Sequence, residues 1–127
     1  MEPLARTLID RDIEAVAAYY AGRPCVPQRE VDRSTGSMPA TIIRRCANCH
    51  GETGVTPYVF VPNLGGQKKD YLIDQLLEFR AADAAPDSTG EESRFHRMMA
   101  SPVRNLTDTD IEEVAEHYSR QSCRAEE

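Results

Sequence analysis

The chain has 127 residues, with 21 acidic side chains against 15 basic ones and a net charge of −6. That length supports one modest core, and the acidic surplus argues against nucleic acid, whose phosphates need a basic face. No apolar run reaches the length of a membrane span, and the opening MEPLARTLIDRDIEA lacks the basic and apolar segments of a signal peptide.

Residues 4–21 place Leu4, Leu8, Ile13, Val16, Ala17 and Tyr20 at helical spacing, with Gly22 and Pro24 ending the pattern. This predicts one amphipathic helix that must bury its stripe on the rest of the domain or on a partner. Residues 22–40 mix Pro, Gly, Ser and charge without periodicity and read as a linker. A short helix over 40–49 should lead into CANCHG. The stretch GETGVTPYVFVPNLGG is punctuated by Gly and Pro and reads as a loop. KKDYLIDQLLEFRAA then sets Tyr71, Leu72, Leu76 and Phe79 on one face of a second helix. A polar loop, AADAAPDSTGEES, follows. SRFHRMMA gives a helical turn or two, which SPV should break. The last helix opens at Thr107, where Thr107 and Asp110 form a capping box, and runs to about Arg120.

The two ends of the chain repeat each other. LIDRDIEAVAAYY at 8–20 matches LTDTDIEEVAEHY at 106–118 at eight of thirteen positions, and the same offset of 98 pairs Arg6 with Arg104 and Cys25 with Cys123. Two unrelated acidic amphipathic helices would share periodicity but not the outlying arginines and cysteines. Residues 1–24 therefore read as the closing helix of a preceding domain, 25–39 as a linker, 40–123 as the domain proper and 124–127 as a tail. If the ends of the two repeated helices meet, Cys25 and Cys123 would form a disulfide. Otherwise each is a free cysteine packed at a helix end.

The chemistry is carried by C-x-x-C-H at Cys46, Cys49 and His50. A redox pair of the thioredoxin kind sits on a parallel sheet, and no strands are predicted. A structural zinc site would have to recruit Cys25, Cys123, His96 or His117 without a second paired motif. A c-type haem asks for what is present: two thiols on one helical face and an adjacent imidazole for the iron. A second axial ligand would come from Met38, His96, Met98, Met99 or His117. Of these, His96 and His117 read as surface histidines, and a bare methionine pair is most often core packing.

CANCHG, PNLGGQKKDYLIDQLLEFR and MMASPVRNLTDTDIEEVAEHY, in that order, resemble class I cytochromes c. The likeness is nearest to the second domain of bacterial periplasmic di-haem cytochromes, and it covers about residues 38–120. It implies an all-α class I cytochrome c fold around one covalent haem c, with the N-terminal helix left over from another domain. It further implies thioether bonds at Cys46 and Cys49 and proximal ligation by His50. Pro62 would offer its carbonyl to the proximal ring and Leu64 would lie against the haem, with Tyr71, Leu72 and Leu76 along its wall. The family's distal methionine precedes by seven residues the leucine before the final helix, which points to Met99, with Met98 the alternative. Tyr58 and Phe60 would cover a haem edge or fill the loop.

With both axial positions filled, the expectation is outer-sphere one-electron transfer by a periplasmic carrier with a redox protein partner, not catalysis. The haem subunit of flavocytochrome c sulfide dehydrogenases, whose partner is a flavoprotein subunit, is the alternative within that class. A haem gas sensor or enzyme with a labile distal ligand is the alternative outside it. Haem attachment and disulfides both belong to an oxidising compartment, hence the periplasm, with the export signal absent from these residues.

Overall fold

The computed structural model of the chain describes residues 2–24, 40–84 and 96–123. The expected linker, the polar loop after residue 84, the tail, Met38 and Cys25 lie outside the described residues. The described residues form six helices: α1 (Glu2–Ala5), α2 (Asp10–Ala21), α3 (Ala40–His50), α4 (Lys69–Ala84), α5 (Arg97–Val103) and α6 (Asp108–Ser119). Among the described residues there is no strand, and no helix is long and apolar enough to cross a membrane. The all-α fold is thus as expected.

α4 and α6 form the centre, with α5 packed on α4 and α3 on α6. Leu72 of α4 and Val114, Ala115 and Tyr118 of α6 make one buried cluster. Val103, Leu106 and Ile111 make a second. Ile42, Ile73 and Leu76 touch both clusters, so the core is continuous. Each such side chain removed from water contributes roughly 1.5–3 kcal/mol, which outweighs the helix propensity of elements this short.

Polar contacts fix the register of α6. Thr107 caps it: its hydroxyl accepts from the Asp110 N–H at 3.1 Å and donates to the Asp110 carboxylate at 2.7 Å, and that carboxylate also accepts from the Thr107 N–H at 2.7 Å. Arg80 on α4 donates to the Leu106 carbonyl at 2.8 Å and to Asp108 at 2.6 Å. Lys69 pairs with Glu116 at 2.9 Å. Between α4 and α5, Arg104 grips Asp83 through two bonds of 2.8 and 3.1 Å.

Two expectations need correction. The helix over 4–21 is split, because the chain turns at Arg6–Ile9: the Thr7 hydroxyl donates back to the Leu4 carbonyl, and Asp12 accepts from the Ile9 N–H at 3.5 Å to restart the helix. Pro102 does not break α5, which runs through it to Val103 and closes with the Arg104 N–H on the Ala100 carbonyl. The proline costs the bond to the Met98 carbonyl near the helix end, where few bonds remain to lose. Separately, α2 buries none of its residues, so of the two covers expected for its apolar stripe the described parts of the domain do not supply one and a partner is left.

Candidate functional site

His50 is the last residue of α3. The helix stops there because Gly51 takes φ 78, a left-handed conformation, and its N–H closes on the Ala47 carbonyl at 2.9 Å. A Cβ at Gly51 would also come within 2.4 Å of the Val55 carbonyl oxygen. The chain then loops back, and Leu64 and Gly65 donate to the Gly54 carbonyl at 2.7 and 3.1 Å. Thr56 donates to the Cys49 carbonyl at 2.7 Å, and its own N–H is held by Asn63 at 3.0 Å. These bonds bring Pro62 to the imidazole.

His50 is 7% exposed, with Nδ1 2.9 Å from the Pro62 carbonyl oxygen. A carbonyl only accepts, so Nδ1 carries the proton and Nε2 keeps its lone pair for a metal. The same bond fixes the ring plane and raises the basicity of Nε2. Cys46 and Cys49 are both free thiols. Their i, i+3 spacing places them on one side of α3. Cys46 is half-buried against the Leu72–Tyr118 cluster, and burial pushes its thiol pKa up, with Arg45 opposing.

Met99 is half-buried against Val103, Leu106 and Ile111, whereas Met98 is 57% exposed. Leu64 rests on the first cluster, Leu72 is buried within it, and Leu76 bridges both. Through the shared residues Ile42, Ile73 and Leu76, the thiol-bearing helix and Met99 attach to one core. Tyr71 is not brought into it and is 45% exposed, while Tyr58 and Phe60 are exposed, their rings 5.8 Å apart. His96 is exposed at the start of α5 and makes no side-chain cap bond.

His117, expected at the surface, is tied down there. His117 is half-buried, and its Nε2 lies 2.8 Å from the Glu52 carbonyl oxygen. Beside it Tyr118, fully buried, donates to the Gly51 carbonyl at 3.1 Å. The signal was available: position 117 lies three residues after Val114 and next to Tyr118, at the border of the buried face. Burial and the nearby Cys46 and Glu52 keep the Tyr118 hydroxyl protonated well above the usual tyrosine range.

The side chains present fit a covalent haem. Two unbonded thiols stand a helical turn apart, next to an imidazole whose free nitrogen is Nε2. A thioether turns inward on the same core. Zinc is poorly served, since no three His, Cys, Asp or Glu side chains converge among the described residues.

The comparisons give the family. The Cytochrome c family model matches residues 40–118, from the start of α3 almost to the end of α6. A cytochrome c4 from Thiocapsa roseopersicina is 31% identical over 127 aligned residues, covering 92% of this chain and 62% of that protein. A cytochrome c4 from Stutzerimonas stutzeri is 35% identical over 78 residues, 60% of this chain and 36% of that protein. The thiosulfate dehydrogenase electron acceptor of Stutzerimonas stutzeri strain A1501 is 27% identical over 130 aligned residues, 94% of this chain and 57% of that protein. The chain therefore spans less than two thirds of the length of these relatives. No solved structure matches. This chain belongs to the cytochrome c family, whose cofactor is covalent haem c, and Cys46 and Cys49 stand at the spacing that such a haem requires.

Proposed function

We propose that this chain carries single electrons between proteins in the periplasm, with His50 and Met99 as the axial ligands of its haem. The observation that carries the reading is the His50 bond to Pro62, which leaves Nε2 as the metal-binding nitrogen. The opposite exposures of Met98 and Met99 support the choice of the second ligand. When bound, the haem supplies a ferric/ferrous couple whose coordination is complete, so the reaction is electron transfer without bond making. The protein's residues hold the imidazole against rotation, keep water from it and present a fixed thioether, so little rearranges when the charge changes. No residue is needed as acid, base or nucleophile.

The similarity to a thiosulfate dehydrogenase electron acceptor supports, as electron donor, an enzyme that oxidises a reduced inorganic sulfur compound. That is the same chemistry as the sulfide dehydrogenase alternative. In this reading residues 1–24 are the closing helix of a preceding cytochrome-type domain, joined by 25–39 to the domain at 40–123.

Replacing the ligand tests the assignment. Met99→Ala removes the weak far-red methionine-to-iron band of the ferric protein and opens the ferrous iron to carbon monoxide, while Met98→Ala does neither. Rapid carbon monoxide binding by the unaltered protein at neutral pH would favour a sensor instead.

A further inference from the structure

The turn after His50 is held from outside by α6. Its two consecutive carbonyls, Gly51 and Glu52, accept from two consecutive side chains, Tyr118 at 3.1 Å and His117 at 2.8 Å. The Gly51 carbonyl has a second donor in the Gly54 N–H at 3.2 Å, within the turn itself. Since the Glu52 carbonyl can only accept, His117 donates through Nε2–H, and its ring stands edge-on to Tyr118 with centroids 4.9 Å apart. Tyr118 is the shared feature of the repeat, with Tyr20 at the matching place, whereas His117 is a departure, with Tyr19 opposite it. The tyrosine is thus common to both helices, and the imidazole donor belongs to α6 alone.

We propose that His117 is a positioning residue for the proximal ligand. By fastening the Glu52 carbonyl to α6, it stops the turn at 51–54 from opening. That keeps the loop carrying Pro62 in place, because Leu64 and Gly65 hang from the Gly54 carbonyl. The His50 ring therefore stays on its acceptor, and water stays off it. The proposal rests on His50 being the proximal ligand, and its effect on the haem is through solvent access, which lowers the potential as it grows.

The experiment compares His117→Leu with His117→Gln in the haem-loaded chain, because glutamine keeps an N–H donor at similar reach. Midpoint potential and amide exchange at Gly54, Leu64 and Gly65 are measured. In His117→Leu the potential falls and those amides exchange roughly five- to tenfold faster, the ratio expected for one lost hydrogen bond. His117→Gln restores both. Unchanged potential and exchange in His117→Leu would overturn the proposal, as would equal changes in both variants, which would make the ring's bulk the cause. If the unaltered protein holds its haem without His50, the functional reading fails. The exchange rates then still decide whether His117 fastens the turn.

Discussion

α2 and α6 are nearly the same helix in opposite circumstances. Ile111, Val114, Ala115 and Tyr118 are at most 3% exposed, whereas the identical residues at the matching positions of α2 lie open, with Ile13 at 50%, Val16 at 46% and Tyr20 at 70%. The backbone details repeat as well. Leu8 donates to Ala5 as Leu106 donates to Val103, Ile13 to Ile9 as Ile111 to Thr107, and Arg23 to Tyr20 as Gln121 to Tyr118. The sequence thus dictates the helix and its apolar face, while burial depends on what lies across from it. The differences between the copies are equally instructive. Thr107, Glu116 and His117 replace Ile9, Ala18 and Tyr19, and these are the residues that cap α6, pair with Lys69 and fasten the haem-side turn. The buried apolar positions are shared, whereas these three contacts are specific to α6.

The largest expected effect breaks this comparison at the tyrosines. Tyr118→Ala empties a fully buried site and takes from the Gly51 carbonyl one of its two donors, and it should cost about 3–5 kcal/mol in denaturant melts. Tyr20→Ala should change those melts by less than about 0.5 kcal/mol. A loss at Tyr20 approaching that at Tyr118 would mean that α2 is covered in solution. If a second cytochrome-type domain is then supplied, the Tyr20 effect should appear as weakened association.

A smaller effect belongs to the cysteines that follow the two helices. Cys123 is disulfide-bonded, whereas Cys46 and Cys49 are in no disulfide and remain for the haem. Cys25, the cysteine matching Cys123 in the repeat, lies outside the described residues. If it is the partner, the bridge closes a long loop and stabilises the chain by up to about 4 kcal/mol in the chain-entropy model, with typical measured values nearer 2–4. Thiol titration of denatured, unreduced holoprotein should find none free, and Cys123→Ser should expose one. A disulfide-linked dimer would instead place the repeat between chains.

Much of this was legible in the sequence because it is written locally. Cys46, Cys49 and His50 are contiguous, Thr107 and Asp110 are three apart, and the loop from Gly51 to Gly66 announces itself by glycine and proline. Met98 and Met99 differ by about 100° around α5, so only the packing of α5 on α4 reveals that Met99 turns inward. The partner of His117 is not legible, because acidic neighbours suggest solvent while the imidazole bonds a backbone carbonyl 65 residues away. The interruption at Arg6–Ile9 escaped because the apolar spacing carries on across it. Tyr71 shares a turn with Leu72, yet the pitch of α4 leaves it at the rim.

The smallest expected effect sharpens the comparison at the helix starts. Thr107 closes a full capping box with Asp110. Ile9 has no side-chain oxygen, so α2 keeps only the bond from the Ile9 N–H to Asp12. Thr107→Ala should therefore cost about 1 kcal/mol in the stability of the domain. Ile9→Thr should raise the helix content of α2 by circular dichroism, with little change in the cooperative melt. The α6 cap also carries a pH signature. The bonds from the Thr107 N–H and hydroxyl hold the Asp110 carboxyl below its ordinary range. The cap's contribution is therefore fully present above the unfolded value, near 3.8, and is lost as pH falls through the lower folded value. The difference between wild type and Thr107→Ala should shrink below about pH 4 and be constant above it. A difference that persisted unchanged into acid would mean that the hydroxyl's bond to the Asp110 N–H, and not the carboxylate, supplies the cap.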